Sequence, residues 1–396
     1  MEDRRGWSRS LLAGAVFVVC MAGTTLPTPL YLSYEEEFGF SQLTVTVVYA
    51  VYAFGVLAVL LLAGNVSDAV GRRPALLWGL GFAAASAGCF LAADALGWLY
   101  AGRLLSGLSA GLFTGAATAY VMELAPPDGR ARATLVATAA NMGGLGCGPL
   151  LAGVLAEYAP DPLVLPFALH LALVAVSAVV LLRLPETVRD RRPLSGVRPA
   201  GLALPPQVRS VFAPAAIASF VGFALFGVFA SVSPAFLAGS LGIDNRAVSG
   251  LVVALAFFAS TVGQAGVDRV GVARSLPVGC AVLGAALALL AAALWTDLLF
   301  LVVLSALVGG IGQGLTFRAA LTSVAAAAPE DRRAAVLSTL FVVAYVGISV
   351  PVVGVGLLSE LWDLERAGFV FIGCMLVLVT AAGAYLLRRP ATPRRP

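Results

Sequence analysis

The sequence is poor in charge and contains no lysine. Charged residues make up 12% of the chain, hydrophobic residues make up 60%, and the mean hydropathy is +0.95. A soluble domain carries about a quarter of its residues as charged side chains, so these values exclude a water-soluble fold and indicate that a lipid bilayer surrounds the protein. All 25 basic residues are arginines, and the net charge of +4 is scattered along the chain. This argues against nucleic acid as a partner.

The sequence also lacks the residue patterns of an enzyme or a metal site. It contains no P-loop, which argues against ATP hydrolysis, and no nucleophile–base pair in a plausible pocket. Its cysteines lie in separate apolar runs without paired spacing, so we expect neither disulfides nor bound metal. They are Cys20, Cys89, Cys147, Cys280 and Cys374. We therefore expect no enzymatic activity and no cofactor.

What the sequence does contain is a series of twelve apolar runs, each long enough to cross a bilayer. Because lipid offers no hydrogen bonds, each run must satisfy its own backbone, and we predict an all-α membrane protein. The first run resembles a secretory signal, but no A-x-A cleavage pattern follows it, so we expect it to be retained. The runs lie near residues 11–33, 43–63, 74–95, 98–120, 133–156, 163–183, 210–237, 247–267, 275–295, 297–325, 335–358 and 366–387.

The arginines outside the runs are divided unequally between the two faces of the predicted bundle. Twenty-one lie before run one, in every second connection or after run twelve, and only Arg246 and Arg366 lie on the opposite face. Positively charged loops stay in the cytoplasm. We therefore expect a multi-pass protein of the plasma (inner) membrane with both termini in the cytoplasm.

A segment rich in proline and arginine at 185–209 divides the runs into two sets of six, and the two sets repeat each other. Asp68-x-x-Gly71 returns as Asp268-x-x-Gly271, and Ala-Pro-Pro-Asp-Gly-Arg at 125–130 returns as Ala-Pro-Glu-Asp-Arg-Arg at 328–333. We predict a six-helix bundle over 1–184, a cytoplasmic linker over 185–209 and a second bundle over 210–396. Two repeated bundles can rock about a site between them.

The segment Gly-Asn-Val-Ser-Asp-Ala-Val-Gly-Arg-Arg at 64–73 resembles the motif between helices two and three of the major facilitator superfamily. The resemblance implies two pseudo-symmetric six-helix bundles, transport by alternating access, a monomer, and a cytoplasmic latch that holds when the cavity faces outward. Small glycines suit close helix approach and a tight turn. The second copy departs from the pattern, since Gln264 replaces the first glycine. The latch residues are Gly64, Asp68, Gly71, Arg72 and Arg73.

Run four carries an arginine, Arg103, in a segment that resembles the arginine motif of the same family. A guanidinium inside a span is costly and is usually functional or paired. One interpretation is a role in coupling or substrate binding. The other is a structural arginine that reaches the outer interface or pairs with an acid at the end of run one, namely Glu35, Glu36 or Glu37.

Run five contains a glycine-rich segment that resembles the motif associated with the family's drug–proton antiporters. Small residues on one face let two helices touch backbone to backbone, and a proline removes one helical hydrogen bond and sets a bend. The resemblance favours export over uptake, although Ala152 stands where the pattern prefers glycine. The motif residues are Gly144, Gly148, Pro149 and Gly153.

The resemblance implies that helices one, four, seven and ten line a central cavity. The runs offer aromatic side chains and only a few polar groups, which suits a small amphiphilic or hydrophobic substrate. Arg318 in run ten either attracts an anionic group or reaches the membrane surface. Besides Arg103, the residues we single out for substrate binding or coupling are Thr24, Thr25, Glu36, Tyr49, Tyr52, Asn141, Phe223 and Gln313.

The sequence says least about what would drive transport, because no apolar run carries a carboxylate near its middle. If protons drive export, we expect an acid at a membrane edge to bind them, with Glu36 and Asp68 the first candidates. His170 either titrates in a useful range or packs as a core residue. Two alternatives stay open at this point: proton-coupled uptake of a small solute, and a membrane sensor that does not transport.

Overall fold

The computed structural model describes residues 2–191, 199 and 201–388, and for residues 2–5 only the backbone. Part of the predicted linker (192–198 and 200) and the tail from 389 lie outside the described residues. In the described part all regular structure is helical. The helices are α1 (Glu2–Thr25), α2 (Tyr31–Phe38), α3 (Gln42–Leu62), α4 (Val66–Val70), α5 (Arg72–Leu91), α6 (Leu96–Leu124), α7 (Arg130–Tyr158), α8 (Leu165–Arg183), α9 (Pro206–Ser231), α10 (Ser233–Gly239), α11 (Arg246–Val270), α12 (Val272–Thr296), α13 (Leu299–Ala327), α14 (Arg333–Leu361) and α15 (Leu364–Arg388).

Twelve segments of the described chain are long and apolar enough to cross a membrane. This confirms the twelve predicted runs and the all-α fold class. Span one consists of two helices, α1 with α2, whereas span seven is α9 alone and is followed by the short α10; the short α4 lies in a connection. Below, spans one to six and spans seven to twelve are called the first and second sets. The face that carries the connections between spans 2 and 3, 4 and 5, 8 and 9, and 10 and 11 is called the arginine-rich face.

The first span is broken by two prolines in the half that lies away from the arginine-rich face. Pro27 and Pro29 supply no N–H group to the preceding helical turn, so α1 ends at Thr25 and a short 3₁₀ turn over Thr28–Leu30 leads into α2. The second helix ends at Gly39, whose φ of 66° is a conformation suited to glycine. This break exposes the last carbonyl groups of α1 inside the bundle.

The two sets repeat each other in helix length and in close helix packing. Helices α6 and α13 are both 29 residues long, and each has a glycine at its twelfth position, Gly107 and Gly310. A Cβ at Gly107 would overlap the carbonyl oxygen of Tyr52 in α3, and a Cβ at Gly310 would overlap that of Ala256 in α11. The same backbone contact therefore joins the second and fourth spans of each set.

The two sets contact each other mainly through α7 with α11 and α3 with α14. Away from the arginine-rich face the contact includes hydrogen bonds, among them Gln42 Nε2 to the Ser231 carbonyl at 3.2 Å and Arg246 Nε to Ser33 Oγ at 2.9 Å. Toward the arginine-rich face, a cavity of about 260 Å³ opens between α7 and the pair α11 and α13. The structure is thus held together at one face and open between the sets at the other.

Candidate transport site

Arg103 of α6 is buried within the first set and is only 1% exposed. One terminal nitrogen donates to the carbonyl of Thr24 at 2.5 Å, and the other donates to the carbonyl of Tyr49 at 3.4 Å. Arg103 therefore neither reaches the outer interface nor pairs with the acids at the end of the first span, and both of those expectations are wrong. The guanidinium is instead held by the Thr24 carbonyl at the break in span one and by the Tyr49 carbonyl of α3.

The Thr24 carbonyl belongs to the last turn of α1, where C=O groups have no helical partner and the helix dipole is negative. A cation placed there stabilises the helix end. The guanidinium also lies 5.4 Å from the ring centre of Tyr49 and 4.8 Å from that of Tyr52, within the range of cation–π attraction. The Nε of Arg103 has no hydrogen-bond partner among the described residues. Within the described part of the chain, the charge is thus held by carbonyls and rings and by no acid.

Thr24 and Thr25, which the sequence placed in the cavity, bond to backbone groups. The Thr24 hydroxyl donates to the Met21 carbonyl of its own helix at 2.8 Å. The Thr25 hydroxyl donates at 2.8 Å to the carbonyl of Leu145 in α7. That carbonyl lies four residues before Pro149, which has no N–H to give it. Thr25 therefore joins span one to the proline bend of span five.

The glycine motif of α7 lies between two helices. On one side, Gly144 and Gly148 contact the α1 backbone, where added Cβ atoms would overlap Val18 and Ala22. On the other side, a Cβ at Gly153 would overlap the carbonyl oxygen of Arg246 at the start of α11. Small residues thus bring α7 into backbone contact with both its own set and the second set.

Aromatic rings meet where the two sets face each other. Tyr52 of α3 and Tyr345 of α14 have ring centres 6.4 Å apart. Phe223 of α9 lies edge-on to Tyr345 at 6.0 Å and to Phe317 of α13 at 4.9 Å. Edge-to-face contacts of this kind are favourable beyond the area they bury. Tyr52 and Phe223, both singled out from the sequence, therefore belong to one cluster, with Tyr345 and Phe317 added by the structure.

A row of buried polar groups lies beside this cluster. Ser260 of α11 donates to Gln313 Oε1 of α13 at 2.6 Å, and Gln264 Nε2 donates to Ser260 Oγ at 3.3 Å. Across the contact between the sets, Asn141 of α7 has a buried Oδ1 without a hydrogen-bond partner in the described chain. Sequence reasoning found Gln313 and Asn141 but missed Ser260 and Gln264, whose spacing of four residues on one helix is the signal.

The latch motif forms a charge cluster within the first set. Arg72 pairs with Asp68 at 2.5 Å and with Glu123 at the end of α6 at 3.0 Å. The backbone N–H groups of Arg72 and Arg73 donate to the Glu186 carboxylate at 3.0 and 3.1 Å. Glu123 and Glu186 were not predicted as latch residues from the sequence, because they join the motif only when α6 and the segment after α8 fold against α5.

The glycines of the motif have different roles. Gly71 has a φ of 112°, which favours glycine in the turn into α5. Gly64 does not serve the close helix approach that the sequence suggested. It is exposed in the turn, because α3 already ends at Leu62.

The candidate proton carriers lie far apart. Glu36 is exposed in a crevice of about 630 Å³ on the face opposite the arginine-rich one, together with Glu35 and Glu360. Asp68 lies at the arginine-rich face, and its side chain is 61% exposed. His170 is buried in the first set against Gly23, beside a small enclosed pocket that Thr24 and Ser106 also line. Among the cavities lined by described residues, none joins the three groups.

Comparison with known sequences identifies the family. The sequence profile of the Major Facilitator Superfamily matches residues 12–350, and again residues 267–396. The chain belongs to this superfamily. Membership confirms the family inferred from the motifs, and the family together with its permease relatives points to a transporter and not to an enzyme.

Two curated relatives are similar to parts of the chain. A probable quinate permease of Neosartorya fischeri is 35% identical over 210 residues, which is 47% of this chain and 38% of the permease. The puromycin resistance protein pur8 of Streptomyces alboniger is 34% identical over 159 residues, which is 40% of this chain and 31% of that protein. The chain thus matches well under half the length of either relative.

Solved structures share the fold. A bacterial homolog of the human lysosomal transporter Spinster, inward-facing and unoccupied, superposes with a TM-score of 0.73 at 16% identity, covering 98% of this chain and 99% of that one. A POT family transporter in complex with 5-aminolevulinic acid gives a TM-score of 0.76 at 13% identity, covering 95% of each chain. At these identities the likeness concerns the fold alone.

Proposed function

We propose that this superfamily member exports small amphiphilic compounds in exchange for protons, by alternating access between its two sets of six spans. The observation that carries the proposal is the α7 glycine motif, which brings backbone against backbone on α1 and on α11. A tight, dry contact of this kind excludes water and ions from the surface along which the sets move. The resistance protein among the relatives supports export.

The chemistry between the sets fits an amphiphilic substrate. The aromatic cluster around Phe223 and Tyr345 offers apolar surface, and Gln313, Ser260 and Asn141 offer a few hydrogen-bonding groups beside it. A sugar-like substrate needs many more polar partners than these. Arg103 takes part in coupling in this proposal, because its charge lies at the break of span one, where a small movement changes its partners.

The latch works in this proposal when the cavity faces outward. In the present structure Asp68 and Arg72 pair within the first set, and the sets are open at that face. Closing the arginine-rich face would bring the second set against these charges. Protons are carried by the acids at the membrane edges, Glu36 and Asp68. The arginine distribution supports a plasma (inner) membrane protein with both termini in the cytoplasm, acting as a monomer.

Transport into everted membrane vesicles tests the proposal, with radiolabelled puromycin as the probe and respiration as the source of the proton gradient. We expect vesicles containing the protein to accumulate puromycin and to lose it when a protonophore is added. Glu36→Gln and Asp68→Asn are expected to reduce the dependence on the gradient. Accumulation that is indifferent to the protonophore would reject proton coupling.

Proton-coupled uptake of a small solute is the second candidate function, favoured by the similarity to a probable quinate permease. The matching experiment uses whole cells with radiolabelled quinate. Accumulation of quinate by cells that express the protein, together with no puromycin transport in vesicles, would replace export by uptake. A susceptibility screen of deletion and overexpression strains against toxic compounds extends the search for exported substrates.

A further inference from the structure

The cavity at the arginine-rich face is lined by hydroxyl-bearing, apolar and charged side chains. It lies between the two sets and encloses about 260 Å³. Helix α7 contributes the hydroxyl-bearing Thr134 and Thr138 and the apolar Leu135, while α11 and α13 contribute Asp268 and Arg318. One wall therefore offers hydroxyls and apolar surface, and the other offers a cation whose partner is a carboxylate.

Arg318 is held by two partners on α11. Its guanidinium donates to the carbonyl of Gln264 at 2.6 Å and to Asp268 at 2.7 Å. The side chain of Arg318 is 31% exposed, whereas that of Asp268 is 71% exposed. An exposed carboxylate contributes little to such a pair, because water replaces its bond to the arginine at small cost. The cation is thus fixed while its acidic partner is easily replaced.

The repeat indicates that the fold itself does not require this arginine. Arg318 is the twentieth residue of α13, and the twentieth residue of the equally long α6 is Gly115. A Cβ at Gly115 would meet open space. The first set therefore folds with a small, empty position where the second set places a cation facing a cavity.

The buried polar row leads from this cavity into the bundle. Gln264, whose carbonyl holds Arg318, bonds through its side chain to Ser260, and Ser260 bonds to Gln313. On the facing helix, Asn141 lies one turn from Thr138, and its buried Oδ1 lacks a partner in the part of the chain described. A ligand with an anionic end at Arg318 would find donors, acceptors and apolar surface along this path.

We propose that this cavity binds the carboxylate end of a small amphiphilic organic acid, with Arg318 donating to the carboxylate in place of Asp268. The proposal rests on the transport function above and names its substrate class. A charge-assisted hydrogen bond of this kind is stronger than a neutral one. The site thus prefers an acid over a neutral compound of the same shape, and Asp268 competes with the ligand.

The test is equilibrium binding to the full-length protein in lipid nanodiscs, without a proton gradient. The probes are 3-phenylpropionate and its neutral counterpart 3-phenylpropanamide. We expect the wild-type protein to bind the acid about tenfold more tightly than the amide. Arg318→Gln should abolish that preference, whereas Asp268→Asn should tighten acid binding several-fold. Arg318→Lys, which keeps the charge, should retain part of the preference.

The following outcomes would overturn the proposal. Equal affinities for acid and amide in the wild type, or a preference that survives in Arg318→Gln, would show that Arg318 does not recognise a carboxylate. Weaker acid binding in Asp268→Asn would show that the ion pair organises the site, contrary to competition. Because binding is measured without a gradient, a failure of proton-driven export leaves this result intact. Export without acid preference would reject this inference alone.

Discussion

The hydroxyl of Thr25 donates a hydrogen bond of 2.8 Å to the carbonyl of Leu145, the group that Pro149 leaves without a helical donor. A carbonyl without a donor is costly inside a bilayer, where no water replaces it. The bond therefore explains how span five tolerates a proline in the middle of its helix. It also fixes the last turn of α1 against α7, beside the glycine motif.

Replacing Thr25 by Val should lower the stability of the protein, because it removes this donor and keeps the side-chain volume. Loss of one partner of a buried hydrogen bond costs about 1–3 kcal/mol. We expect the melting temperature of the purified protein to fall by several degrees and Thr25→Ser to restore it. Thr24→Val is the matched control, since the Thr24 hydroxyl donates to the Met21 carbonyl of its own helix and its side chain also bonds to Tyr52, so it removes a neighbouring hydroxyl without touching Leu145.

A double-mutant cycle makes this prediction specific. Pro149→Ala returns an N–H group to the helix at the position that serves Leu145. In that background Thr25→Val should cost much less than in the wild type, and the difference measures the coupling between the two residues. Equal costs in both backgrounds would show that Thr25 stabilises the protein in some other way.

Arg103→Gln should impair transport more than folding. The substitution removes the cation that lies over Tyr49 and Tyr52 and at the carboxyl end of α1. We expect export in vesicles to fall about tenfold, the loss that corresponds to one charge-assisted hydrogen bond. Arg103→Lys should not restore it fully, because lysine lacks the planar fork that reaches two carbonyls.

Arg366→Gln is the control for the loss of one arginine. Arg366 is a surface residue whose only ion pair in the described chain is with Asp363, and the side chain is 73% exposed. Its replacement should leave export unchanged. Wild-type export by Arg103→Gln would remove Arg103 from the coupling machinery.

Gly153→Ala and Gly143→Ala form a matched pair within α7. Alanine favours the helix over glycine by about 1 kcal/mol at either position, so the difference between the variants reports tertiary contact. A Cβ at Gly153 would overlap the Arg246 carbonyl of α11, whereas a Cβ at Gly143 meets nothing. We expect Gly153→Ala to lower both the melting temperature and export, and Gly143→Ala to raise the melting temperature slightly and to preserve export. Similar behaviour of the two variants would contradict a close contact between α7 and α11.

The sequence by itself determined the class of fold, the twelve spans and the family. These properties depend on local features, since each span must be apolar along its own length and the latch motif and the glycine motif are contiguous segments. The sequence also identified Arg103 and Pro149 as unusual residues within spans. These two residues stand out in the sequence because a charge inside a membrane span and a proline inside a helix raise the free energy of any fold that contains them.

Only the tertiary structure decided what these residues contact. The partners of Arg103 come from α1 and α3, the donor for Leu145 comes from α1, and the polar row joins α11 to α13. Such pairings depend on how far each helix is rotated and shifted against its neighbours. That register is set by packing at glycine contacts such as the one between Gly107 and Tyr52. Apolar patterning does not encode it, because in lipid both faces of a helix are apolar.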